Sequence, residues 1–116
     1  VFSFGVMGGD FQPQGHAQVL MNMLDFGMSP QQAGEQPRVE HSGGSTPQGT
    51  AGSGPGVVAL EPLIPETTRA RLEEMGHTIR KGADTFGGYQ GIWRDEEPRR
   101  YFGGSDPRKD GCAMGY

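Results

Sequence analysis

The sequence predicts a mixed α and β layered fold with a largely antiparallel sheet. Three observations carry that reading. A short run at the start alternates Phe2, Phe4 and Val6 with less apolar neighbours, the period of a half-buried strand. The stretch from about Gly15 to Phe26 has the spacing of a helix. The last third is rich in aromatics and glycine and reads as strands joined by turns. The order is therefore strand, two helices, strand, helix and several strands.

Composition bounds what this fold can do. The 116 residues suit one small domain. With 21 Gly, 9 Pro and 33% hydrophobic residues, the chain is poor in material for a self-contained core. Its apolar residues are clustered, which argues against disorder throughout. It reads as part core and part loop, or as a piece of something larger. It also opens with Val1 inside a strand pattern, so it is expected to begin partway through a longer protein. The formal charge is −4 and no basic patch is interleaved with aromatics, so nucleic-acid binding is not expected. One cysteine, Cys112, forms no internal disulfide framework and has no metal-site spacing. No apolar run has the length of a membrane span, and the compartment stays open.

Residues 1 to 7 read as a strand that Gly8-Gly9 ends. Phe11 to Gly15 reads as a short connection containing Pro13. The helix over 15 to 26 is apolar almost all round, which predicts burial on more than one side. Its methionines, Met21 and Met23, read with Met28 as core packing. Ser29-Pro30 opens a second helix, with Ser29 as the cap and Pro30 at the first helical position. It runs to about Gln36, and Arg38–His41 reads as a short strand.

The tract 42–56 has no large apolar side chain and is expected to be a flexible Gly/Ser/Pro loop without a domain boundary. Val57–Glu61 reads as a strand. A helix follows over Pro65–Met75, with Thr68, Leu72 and Met75 on one face. Gly76 stops it and His77–Lys81 forms a strand. Phe86–Arg94 and Arg100–Phe102 flank a hairpin turn at Asp95–Pro98, and Gly103–Arg108 is a turn-rich exit.

Gly8 and Gly9 are the candidate site. Adjacent glycines let the backbone turn sharply and let a ligand approach. Two free N–H groups there could stabilise one oxyanion, which would make the pair both catalytic and substrate-binding. A plain strand-to-helix turn explains the same spacing, and both readings stand at this point. His16, His41 and His77 lack metal-ligand spacing. His16 is expected to have a surface or capping role, and His77 to interact with the end of the preceding helix. Asp106-Pro107-Arg108-Lys109-Asp110 is expected to be a charge-paired surface turn. Cys112 has no neighbouring histidine in sequence, which leaves a nucleophile role without support.

Several short motifs, taken in order, carry a resemblance. They are Gly8-Gly9 after a strand, Met23-Leu24-Asp25-Phe26-Gly27-Met28, Ala33, Pro37-Arg38, Phe86-Gly87-Gly88, Gly104-Ser105-Asp106-Pro107-Arg108 and Gly115-Tyr116. Their order and spacing closely resemble the gamma-glutamyltransferase (gamma-glutamyltranspeptidase) family over nearly the whole chain. The resemblance implies one C-terminal segment, 1–116, of the family's small subunit. Its fold would be part of the α-β-β-α sandwich of N-terminal nucleophile hydrolases. In that family a self-cleaving proenzyme exposes an N-terminal threonine. The threonine attacks a gamma-glutamyl amide, and water or an amine then takes the acyl group.

The resemblance places the oxyanion glycines on Gly8 and Gly9. The nucleophile and the residues holding the substrate's carboxylate and amine fall upstream of Val1. Thr67 and Thr68, inside a predicted helix, do not replace the nucleophile. The fragment alone is thus expected to be inactive, with no cofactor or metal. Its implied partners are the large subunit, the N-terminal part of the small subunit, and a small gamma-glutamyl or related amide. The isolated chain is expected to self-associate through exposed apolar surface. Many members have Pro-Gly-Gly-Ser where this chain has Met7-Gly8-Gly9-Asp10. An acidic Asp10 disfavours an anionic substrate beside it, so a related acylase with another acyl donor is an alternative. A non-catalytic binding or assembly module on the same scaffold is another.

Overall fold

A computed structural model of the chain describes residues 1–44, 56–82 and 86–115. In chain order it contains β1 (Phe2–Met7), a 3-10 turn (Gly9–Phe11), α1 (Gln12–Leu24), α2 (Pro30–Glu35), β2 (Val39–Ser42), β3 (Val57–Leu60), α3 (Glu66–Glu74), β4 (Thr78–Lys81), β5 (Gly88–Asp95) and β6 (Arg100–Ser105). The residues fall into two compact units, Val1–Gln36 with Phe86–Tyr116, and Pro37–Thr85. The expected flexible loop at 42–56 lies mostly outside the described residues. Among the described residues, no helix is long and apolar enough to cross a membrane.

The first unit is a three-stranded antiparallel sheet in the order β1-β5-β6. β1 meets β5 from Phe2↔Trp93 to Met7↔Gly88, and β5 meets β6 from Gln90↔Ser105 to Asp95↔Arg100. Val1 and Arg94 exchange both backbone bonds, at 2.9 and 2.7 Å. Hydrogen-bonded pairs alternate along an antiparallel ladder, so Ser3, Gly5 and Met7 turn their polar groups to β5. Phe2, Phe4 and Val6 turn theirs to the other edge. The Phe2 and Phe4 rings stack with centroids 4.6 Å apart.

The core of this unit gathers Val6, Phe11, Val19, Ala33, Phe86 and Tyr89. α1 packs on β1 and α2, and α2 packs on β5 and β6. Tyr89 is fully buried in space left by glycine. A Cβ at Gly34 or Gly91 would overlap its ring, and one at Gly104 would come within 3.0 Å of it.

Several expectations change. α1 begins at Gln12 rather than Gly15, because Pro13 falls in the first turn, where a missing N–H leaves no bond unmade. Among the described residues, burial on more than one side of α1 does not occur. Only Gly15 and Val19 are buried, while Leu24 is 70% exposed and Phe26, just beyond the helix, 68% exposed. One stripe meets β1 and α2, and the rest of the apolar surface faces outward. The exit segment is also more extended than expected. Gly103-Gly104-Ser105 continues β6, and the turn comes after it. The second helix matches its signals. Ser29 Oγ accepts from Gln32 N–H, and Gln32 Oε1 accepts from Ser29 N–H.

The second unit is a sheet in the order β2-β3-β4. β2 and β3 are antiparallel, whereas β3 and β4 are parallel because α3 makes a crossover between them. Ala59, Leu60 and Ile64 are buried. The inward side of α3 is Arg69 and Leu72, not Thr68 and Met75, which are exposed. Arg69 folds back to donate to the carbonyls of Ile64, Leu60 and Glu61, so a cation covers the β3–α3 connection. The helix ends as its glycine predicts. Gly76 N–H bonds Glu73 O and His77 N–H bonds Leu72 O, so His77 does engage the helix end, through its backbone.

Candidate functional site

Gly8 follows the exposed end of β1 as the cap of the 3-10 turn, and Gly9 is the first residue of that turn. Gly8 has φ 157° and ψ 24°, and Gly9 has φ 57°. Phe11 N–H bonds Gly8 O at 3.1 Å, and Gln12 N–H bonds Gly9 O. Both carbonyls thus serve the turn. Both N–H groups lie at its amino end, beyond the reach of carbonyls within the helical turn. The pair carries two adjacent backbone N–H groups, and no side chain projects from it.

Two distant glycine segments meet here. A Cβ on Gly8 would stand 3.2 Å from Gly87 Cα and 3.3 Å from the Phe11 ring. The Phe86 ring meets the Phe11 ring edge-on at 6.0 Å, which fixes the floor beneath the turn. Asp10 is exposed in the 3-10 turn itself, the single acidic residue beside the glycines within that turn.

His16 is the polar side chain that sequence reasoning misjudged. It is half-buried, and its Nε2 accepts from Val6 N–H at 2.9 Å. Its ring stands edge-on to Phe4 at 5.4 Å. No spacing in the sequence signals that bond, because it depends on how closely α1 approaches β1. Gly15 sets the approach, since a Cβ there would lie 2.7 Å from Val6 Cγ1 and 2.8 Å from the Phe11 ring. His41 and His77 belong to the second unit. Among the described residues, no three His, Cys, Asp or Glu side chains gather to hold a metal.

The Asp106 turn is charge-paired as expected, and its Pro107, Lys109 and Asp110 are exposed, but its first residue is not at the surface. Asp106 is fully buried. Its Oδ2 accepts from Tyr89 N–H at 2.8 Å, and its Oδ1 accepts from Arg108 N–H at 2.9 Å and Arg108 Nη1 at 3.0 Å. Arg108 also donates to Gly34 O and Gln36 O, capping the carboxyl end of α2. The signal was present in Asp-Pro-Arg, since an aspartate readily accepts from the N–H two residues on. Its burial was not visible, because that comes from β5 and α2. Cys112 is exposed in the tail that follows. It borders a recess of about 640 Å³ with Ser3, Gly5, Gln90, Ile92 and Tyr101, whose lining includes neither histidine nor the Gly8-Gly9 turn.

Comparison with known proteins places this arrangement. The sequence matches the gamma-glutamyltranspeptidase family profile over residues 1–116. It is 33% identical over 117 residues to the glutathione hydrolase-like YwrD proenzyme of Bacillus subtilis strain 168, covering 97% of this chain and 21% of that protein. It is 41% identical to the solved cephalosporin acylase of Bacillus halodurans, with a TM-score of 0.78 over 97% of this chain and 20% of that one. The chain therefore spans about a fifth of the length of these two relatives. The Bacillus anthracis transpeptidase CapD shares the fold at 20% identity, with a TM-score of 0.79 over 99% of this chain and 63% of that one. The α+β architecture with mostly antiparallel strand pairing is shared with these solved structures. Profile, relatives and fold agree, and the chain belongs to the gamma-glutamyltranspeptidase family.

Proposed function

We propose that this chain is the C-terminal part of the small subunit of an amide hydrolase or acyl transferase, and that Gly8 and Gly9 supply its oxyanion site. The observation that supports this most directly is the pair of adjacent N–H donors at the amino end of the 3-10 turn. A nucleophile from outside this chain attacks the amide carbon. The carbonyl π electrons move to oxygen, and the two N–H groups stabilise that charge. The amine then leaves with a proton, and water or a second amine takes the acyl group. One such donor is worth about 2.7–4 kcal/mol in the barrier.

The acyl donor is a gamma-glutamyl or related amide. The likeness to a cephalosporin acylase and the acidic Asp10 beside the turn favour an acylase reading alongside the gamma-glutamyl one. The full-length protein should be offered a gamma-glutamyl anilide and an acylated cephalosporin. Release of amine from either supports the proposal, and the faster substrate identifies the acyl group. Release from neither leaves a binding or assembly module as the better account. The 116-residue chain alone should release no amine. Turnover by it would overturn the placement of the nucleophile outside. In a complex of the full-length protein with a tetrahedral boronate, both glycine N–H groups should lie within hydrogen-bond reach of one boronate oxygen.

A further inference from the structure

We infer that His16 is a positioning residue for the Gly8-Gly9 turn, acting through Val6; the inference rests on the oxyanion reading above. The phase of the β1–β5 ladder turns Val6 N–H away from β5, toward the open edge of β1. His16 Nε2 accepts that N–H at 2.9 Å. A ring nitrogen that accepts carries no hydrogen, so the bond assigns the imidazole proton to Nδ1. Met7, the next residue, pairs with Gly88 on the opposite side. The last two residues of the strand are thus held from both sides just before the chain turns.

Three contacts make the bond more than a chance meeting. Gly15 admits Val6 Cγ1 and the Phe11 ring where any side chain would collide, so α1 sits close enough for the next residue to reach the strand edge. Phe4 braces the imidazole edge-on. Phe11, at the other end of the same turn, is buried against Phe86. The Gly8-Gly9 peptides therefore lie between a strand end fixed by His16 and a turn fixed by Phe11. Without the imidazole acceptor, the strand end is held from the β5 side alone and can roll. Rolling re-aims the two N–H groups without removing either.

The test uses the full-length protein and three variants, H16F, H16L and H16Q. Phenylalanine and leucine keep apolar bulk without an acceptor, whereas glutamine places Oε1 the same number of bonds from Cα as Nε2. Two readouts are needed: amide exchange by mass spectrometry over Val1–Asp10, and kcat against KM on the amide hydrolysed faster. In H16F and H16L, exchange of that segment should speed by about tenfold, the equivalent of one lost hydrogen bond. Their kcat should fall by roughly ten- to a hundredfold, the scale of a misplacement of about 1 Å, with KM within about twofold. H16Q should stay within about threefold of the parent in both readouts, as a kept acceptor requires.

A purely structural role would change exchange and thermal stability but leave kcat alone, and that result overturns the inference. Unchanged exchange in both apolar variants overturns it too, as does failure of H16Q to restore kcat. If the parent hydrolyses no amide, the functional reading fails by itself. Exchange then decides whether His16 holds the turn, with H16Q again expected to match the parent.

Discussion

Replacing Asp106 by alanine tests what closes the first unit. The carboxylate is fully buried and accepts from Tyr89 N–H, Arg108 N–H and Arg108 Nη1. Removing one partner of a buried ion pair typically costs about 3–5 kcal/mol, because the charge left behind loses its compensation. The Arg108 side chain is 20% exposed, so water can reach it, and the lower end, about 3 kcal/mol, is expected here. D106N should lose about 1.5–3 kcal/mol, since its NH2 must face either the Tyr89 donor or the Arg108 donors. The assay is amide exchange of the β5 segment Gly88–Asp95 in the full-length protein. Each 1.4 kcal/mol is about tenfold, so D106A should speed exchange there by roughly a hundredfold. A change below about threefold in D106A, less than 1 kcal/mol, would refute the view that this carboxylate ties β5 to the turn.

Other substitutions probe other parts of the scaffold. G34A places a methyl group into the Tyr89 ring and should destabilise the first unit by about 1–3 kcal/mol, read as faster exchange across α2 and β5. S29A removes one half of the capping box and should destabilise α2 by about 1 kcal/mol, with increased exchange confined to that helix. R69A strips the donors from the Leu60, Glu61 and Ile64 carbonyls and should lower the stability of the second unit by about 1.5–3 kcal/mol in exchange of β3. R69K should recover only part of it, since lysine lacks the planar fork.

Local chemistry was the most legible part of the chain. The Ser29-Pro30 start, the Gly76 stop and the Asp95–Arg100 hairpin all follow from short-range rules and recur in the structure. Contacts set by distant partners were not. Arg69 joins the expected Leu72 on the inward face of α3, in place of Thr68 and Met75, because three carbonyls of the β3–α3 connection draw the guanidinium inward. Asp106 looked like a surface charge because neither β5 nor α2 is near it in sequence. At the candidate site, the glycine pair stood out by its position after a strand. His16 did not, since the distance that gives it a partner is fixed by the missing side chain at Gly15.

The pairing of β1 with β5 also sets the order of events during synthesis. Val1 and Arg94 exchange backbone bonds across 93 residues of chain, and Gln31 reaches Ser105 across 74. At about 5–20 residues per second, the first strand emerges roughly 5–20 s before its partner. Through that interval β1 waits for β5, the strand it pairs with in this unit. Pro37–Thr85 holds all its own strand pairings between neighbours in sequence and can close meanwhile. The second unit is therefore expected to fold while the ribosome is still at work. The first can complete its β1-β5-β6 sheet only when its last strands arrive.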